Sequence, residues 1–164
     1  MTNILYNSSS WEKHDDYMTR KETWNNIKQY IPENKLIWEA FYGDGNSGKY
    51  LQELGFEVIH EDINFFEEDR GDIIVSNPPF SKKKEVLQRL KQVDKPFIII
   101  CPISMLNTNY YRELFANDCQ LIIPRKRIQF ITLKNGETKF EGRCHFDCAY
   151  YCYKIGLNRD IVFL

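Results

Sequence analysis

No apolar run in this 164-residue chain approaches the roughly 20 residues needed to cross a bilayer, so a membrane-spanning helix is not expected. The opening residues, MTNILYNSSSWEKHDD, lack the basic stretch and apolar core of a secretory signal and read as a loose polar leader over 1–16. Internal repeats and low-complexity tracts are missing too. There is little net charge of either sign: 22 Lys and Arg against 23 Asp and Glu leave a formal charge of −1, which on average argues against a nucleic-acid partner. The five cysteines make an odd count, and one of them, Cys101, sits inside the apolar run FIIICP as a core filler. A reducing compartment is expected, cytoplasmic or, in a eukaryote or its virus, nuclear, and not an extracellular one.

What is present is the composition of an ordinary soluble globular protein, 43% hydrophobic and 27% charged, at a length that suits one well-cored domain over 1–164. The charge average hides an asymmetry. Glu61 to Asp72 is strongly acidic, whereas Lys82 to Lys95 and Arg125 to Arg127 are basic. A local basic rim suffices to attract phosphates, although solvated helix faces account equally well for any one of these runs.

Apolar segments alternate with amphipathic ones, which predicts an α/β fold with a single, doubly wound, mostly parallel sheet. Helices are expected at Lys21–Tyr30, Asn46–Leu54 with Gly55 as its stop, Lys82–Val93 and Asn109–Ala116. Strands are expected at Leu36–Phe41, Glu57–Ile63, Asp72–Pro78 and Phe97–Ile103, the last so continuously apolar that it belongs in the middle of the sheet. Asn135-Gly136 signals a β-hairpin within Arg125–Gly142, and a final strand near His145–Ile155 should return antiparallel into the sheet.

Three stretches carry chemistry. After the first strand, EAFYGDGNSGKY has glycines at 43, 45 and 48 that permit a tight turn and close backbone approach to a ligand, while Glu39 and Asp44 disfavour a pyrophosphate and suit an ammonium or sulfonium cation. After the second strand, Glu61 and Asp62 stand where doubly wound folds place an acid for a ribose diol. A helix-capping Asp44 or a solvated Glu61 is the plainer alternative for each. After the third strand, Asn77-Pro78-Pro79-Phe80 ends an apolar run abruptly, and its prolines hold Asn77 in an extended or turn conformation.

In this order the three stretches resemble the class I S-adenosylmethionine-dependent methyltransferases, and most closely the small phage and viral enzymes that methylate the exocyclic amine of adenine in DNA. The resemblance implies a Rossmann-like fold, S-adenosylmethionine as cofactor and a nucleic-acid substrate, DNA ahead of RNA. It implies catalytic roles for Asn77, Pro78, Pro79 and Phe80, with the Asn77 side chain and the Pro78 carbonyl accepting from the target amine and Phe80 stacking on a flipped base. Cofactor contacts are implied for Glu39, Phe41, Gly43, Asp44, Gly45, Glu61, Asp62, Ile63 and Asn77. YMTRKETW looks like the upstream element of these enzymes and adds Thr19 and Trp24, although Arg20 stands where proline is usual. Lys82, Lys83, Lys84, Arg125, Lys126 and Arg127 would meet phosphates.

Two departures from the family pattern matter. Only nine residues separate Asp62 from Asp72, so the sheet should lack a strand at that edge, with Phe65 or Phe66 supplying the wall against the cofactor's adenine. There is also no inserted recognition domain, so target selection falls to Met105–Tyr111, to the hairpin, or to a second copy or partner subunit. Relatives of the Asn-Pro-Pro-Phe group methylate guanine in RNA or glutamine in proteins, and an idle nucleic-acid-binding module of the same fold is the reading from another class. A zinc site at Cys144, His145, Cys148 and Cys152 is disfavoured, because cysteines four apart on a strand are about 13 Å from one another.

Overall fold

The computed structural model describes residues 17–134, 137–139 and 146–164. In chain order the elements are β1 (Tyr17–Met18), α1 (Lys21–Asn25), β2 (Leu36–Trp38), α2 (Asn46–Glu53), β3 (Glu57–Ile59), β4 (Ile73–Ser76), α3 (Lys83–Val93), β5 (Phe97–Pro102), α4 (Asn109–Phe115), β6 (Cys119–Ile123), β7 (Ile131–Lys134), β8 (Glu137–Lys139), β9 (Cys148–Tyr153) and β10 (Ile161–Phe163). Seven strands form one sheet in the order β3-β2-β4-β5-β9-β6-β10. All its pairings are parallel except those of β9, which is antiparallel to both β5 and β6. None of the helices among the described residues is long and apolar enough to cross a membrane.

Both faces of this sheet are covered, which is why β4 and β5 are apolar without alternation. Ile74, Phe97, Ile99 and Cys101 point to the side of α3 and α4, where they pack with Val86, Leu87, Leu90 and Phe115. Their neighbours Ile73, Val75, Ile98 and Ile100 point the other way, towards Trp24 of α1 and Leu51 of α2. The result is the doubly wound, Rossmann-like α/β architecture expected from the sequence. Strand β9 buries three tyrosines, and each hydroxyl finds an acceptor: Tyr150 gives its proton to the Thr23 carbonyl at 2.6 Å, Tyr151 to the Pro102 carbonyl at 2.7 Å and Tyr153 to Asp94 Oδ1 at 2.6 Å. These three tyrosines enter the core without stranding their hydroxyls.

The sheet ends at β3, with no strand beyond it among the described residues. The short acidic segment is instead fastened to α3 and the start of β5. Arg89 donates to the carbonyls of Phe65 and Glu68 at 3.3 and 3.1 Å, and Lys95 donates to those of Arg70 and Gly71 at 3.0 and 2.7 Å. Phe65, fully buried against Trp38 and Phe41, anchors it from within and contributes about 1.5–3 kcal/mol. That burial removes Phe65 from the expected cofactor wall and leaves half-buried Phe66.

Other boundaries also differ from expectation. Lys21–Tyr30 is not one helix: α1 stops at Asn25, and a separate 3-10 turn covers Lys28–Tyr30 after Ile27 leaves helical geometry at φ −115°. Two successive asparagines, poor helix formers, stand at the break. Strand β10 was not foreseen; it adds to β6 with Ile161 opposite Leu121 and leaves Ile161 and Phe163 exposed. A second sheet, β1-β7-β8, joins the segment before α1 to the late hairpin, with Tyr17 opposite Thr132 and Lys134 opposite Glu137. The expected turn at Asn135-Gly136 lies outside the described residues, as do the leader over 1–16, Cys144 and His145. Cys148 and Cys152 are buried in β9.

Candidate active site

The chain leaves β2 for β3 on one side and returns to β4 on the other, so the strand order reverses at β2. The crevice beyond the carboxyl ends of β2 and β4 is where such sheets take their ligands. Glu39–Gly45 leaves β2 there and Asn77–Phe80 leaves β4 beside it. Because β5 and β6 run parallel to β4, Ile103–Asn107 and Pro124–Arg127 emerge on the same edge of the sheet.

The glycines of the first loop have separate reasons. Gly43 and Gly45 adopt φ values of 59° and 82°, and a Cβ on Gly43 would lie 2.9 Å from Met18 Sδ of β1. Gly48 is helical, and a Cβ there would fall 2.3 Å from Cβ and Cγ of His60, so the glycine lets α2 lie against the end of β3. Gly48→Ala is therefore expected to push α2 off the sheet, costing about 1–3 kcal/mol in urea unfolding. Stability equal to the parent's would show that His60 moves aside freely. Asp44 does not face the crevice with a spare carboxylate; it accepts from the backbone N–H and side-chain amide of Asn46 at 3.0 and 2.9 Å, holding the start of α2.

Glu39 is 1% exposed. Its two carboxylate oxygens accept from the Ser47 and Ser76 hydroxyls, and Oε1 also from the Phe41 N–H at 3.2 Å. Trp24, itself fully buried, gives its indole proton to Ser47 Oγ at 2.9 Å. Burial pushes the Glu39 carboxyl up to about 7 against the lowering effect of the serine hydrogen bonds. Glu39 is thus a buried hub joining α1, α2 and β4 at the foot of the crevice. Trp24, with no exposed surface, lies beneath the crevice and meets this hub through Ser47. Thr19 and Phe41 are 4% exposed and lie in the same walls.

At the end of β4 the half-buried Asn77 donates from Nδ2 to the Tyr17 carbonyl at 3.0 Å. Its Oδ1 is buried without a hydrogen-bond partner among the described residues. A desolvated acceptor left unmade costs about 1–3 kcal/mol, which a donor entering the crevice would relieve. Phe80 is 6% exposed: the Tyr17 ring stacks on it at 6.0 Å, and Phe130 and Phe146 meet it edge-on at 5.9 and 5.3 Å. A base stacking on Phe80 must therefore use the face away from Tyr17 or displace that ring.

The basic residues are placed unequally. Lys83 turns back to donate to the Phe80 carbonyl at 2.7 Å, and Arg127 pairs with Asp147 at 2.7 Å. Lys84, Arg125 and Lys126 are exposed, and Lys82 is half-buried. Glu61 and Asp62 are exposed just past β3, with Ile63 half-buried beside them. Sequence reasoning missed Ser47, Ser76 and His60 as parts of the site. Ser76 had a signal, a hydroxyl closing a run of three apolar residues; His60 had none.

The Rossmann-like sheet thus brings a glycine-rich turn and Asn77 together at its switch point, and the class of protein follows from the family to which the sequence belongs. The family model for adenine-specific methyltransferase EcoRI matches residues 7–153, and the chain belongs to that family. Among solved structures, a Listeria monocytogenes protein described as a candidate class I S-adenosylmethionine-dependent methyltransferase is similar, with 10% identity over 98% of this chain and 69% of that one at a TM-score of 0.46. No curated protein matches the sequence. The family indicates S-adenosylmethionine as the cofactor, and the crevice fits such a group: Gly43 and Gly45 turn bare backbone past the end of β2, and two exposed carboxylates, Glu61 and Asp62, follow β3.

Proposed function

We propose that the chain transfers a methyl group from S-adenosylmethionine to the exocyclic N6 amine of adenine in DNA, acting as a single domain. The observation that carries this reading is the Asn77 Oδ1 at the switch point, buried and without a partner among the described residues. An exocyclic amine is a weak nucleophile because its lone pair is delocalised into the ring. Accepting its protons helps the nitrogen rehybridise, and Asn77 Oδ1 with the Pro78 carbonyl offers two acceptors held by rigid prolines. When bound, the cofactor supplies an electrophilic methyl group. No strong general base is required, because the methylated nitrogen is cationic and loses its proton readily. Pro79 fixes the turn into Phe80, with φ −64° and ψ 126°.

The family's adenine specificity supports a nucleic-acid substrate, and Lys84, Arg125 and Lys126 supply exposed cations on the catalytic edge for its phosphates. Glu61 and Asp62 are assigned to the cofactor's ribose. Asp62→Ala is expected to raise the dissociation constant for S-adenosylmethionine about tenfold with little change in turnover at saturation; an unchanged constant, by calorimetry, removes Asp62 from that site.

The deciding experiment is tritiated methyl transfer to duplex DNA, single-stranded DNA, structured RNA and bulk protein, with mass analysis of the product. Methyladenine in DNA is expected. Label in RNA or in protein glutamine keeps the chemistry and overturns the substrate. Cofactor binding with no transfer to any acceptor overturns the enzyme reading in favour of an idle binding module.

A further inference from the structure

We infer that the backbone carbonyl of Tyr17 is the positioning group that sets the catalytic amide of Asn77. The inference rests on the reading of Asn77 as the acceptor for the target amine. A carbonyl oxygen has no proton to give, so at 3.0 Å it can face only the NH2 end of the Asn77 amide. That contact turns Oδ1 the other way, into the buried position where it has no partner among the described residues. Without it, the amide could rotate about its last bond and present its donor end to an amine that itself needs an acceptor. The polarity of this single bond thus decides whether the site attracts or repels its substrate.

Tyr17 is held for this purpose from three sides. Its strand β1 pairs antiparallel with β7, Tyr17 opposite Thr132 and Met18 opposite Ile131. Its ring packs on Phe80, Phe130 and Phe146 at centroid distances of 6.0, 5.6 and 5.3 Å. The next residue, Met18, lies over Gly43 of the glycine loop. One two-residue strand therefore touches the acceptor, the aromatic motif residue and the cofactor loop together. The late hairpin, which sequence reasoning assigned to target selection, reaches the catalytic amide through it.

The test is Asn77→Asp. A carboxylate is also an acceptor, so if only acceptance mattered the variant would work nearly as well as the parent. If the Tyr17 carbonyl sets the group, the ionised carboxylate of the variant lacks the donor and faces that carbonyl with a second oxygen. Protonation restores it: the carboxyl O–H donates to Tyr17 and leaves the other oxygen for the amine. The ionisable groups around the position are Glu39, just past β2 and bonded to the neighbouring Ser76, Lys83 of α3, bonded to the Phe80 carbonyl, and the Tyr17 phenol. All three are common to both proteins, and because Glu39 titrates in the same range, the ratio is measured again in the Glu39→Gln background, where only position 77 can carry the change.

The expected result is a turnover ratio of variant to parent near ~0.01 at pH 8, rising at least about tenfold by pH 5.5, with the cofactor dissociation constant unchanged. A ratio near one at pH 8, or a loss that acidification does not relieve, overturns the inference while leaving the acceptor role to be judged by Asn77→Ala. If the variant does not fold, the parent decides. Its Asn77 side-chain NH2 should show one proton protected from exchange by the Tyr17 bond, and free exchange of both overturns the anchor.

Discussion

Asn77→Ala should lower turnover by about 100- to 1000-fold while leaving the affinity for S-adenosylmethionine nearly unchanged. The magnitude follows from preorganisation. Oδ1 is already stripped of water and fixed by the Tyr17 bond, so accepting an amine proton costs no reorganisation and relieves the desolvation penalty of an orphaned oxygen. Because that gain appears only with the acceptor bound, its loss belongs in the rate at saturation and not in the cofactor constant. Stability should move little, since the substitution removes an unmade buried acceptor together with one hydrogen bond. Single-turnover kinetics with saturating cofactor, set beside calorimetric binding, separate these quantities. A parallel loss of cofactor affinity would place Asn77 in the cofactor pocket and take the acceptor role away from it.

The sheet was legible in the sequence where the signal is a run. FIIICP can only be a strand covered on both sides, and it proves to be the central β5. The nine-residue gap between Asp62 and Asp72 correctly removed a strand from one edge. Short elements were illegible for the same physical reason in reverse. The two residues of β1 have no periodicity to read, and they are a strand only because the hairpin comes back to pair with them. Strand β10 leaves two apolar side chains exposed, a pattern that no burial argument predicts.

The site was legible by residue type but not by depth. Glu39, Trp24 and Phe65 were picked out for the crevice because of the chemistry they could offer there. The fold places all three in its interior, as a hydrogen-bonded hub, the donor beneath it and a core plug. Sequence order shows which residues leave a strand end together, whereas the direction of each side chain depends on which partners the far parts of the chain bring. Ser76 stands beside Asn77 in the sequence, yet its bond runs to a residue 37 positions away.

The stability of the chain should carry the signature of that hub. Glu39 has an unfolded value near 4.5 and is pushed up to about 7 by burial on folding. Between these values the unfolded chain releases a proton that the folded chain keeps. The stabilisation from this group is therefore whole below pH 4.5, falls as pH rises and is gone above about pH 7, a loss of about 3 kcal/mol. Glu39→Gln has no such proton, so the unfolding free energy of the parent minus that of the variant should fall by this amount between about pH 4.5 and 7.5. Urea titrations of both proteins across the range measure it directly. A difference that does not change with pH would mean that Glu39 is ionised throughout, with its serine bonds outweighing burial. In that case the carboxylate beside Ser76 would be a permanent negative charge under the catalytic strand. The neutral hub described here instead places no negative charge beneath β4 below neutral pH.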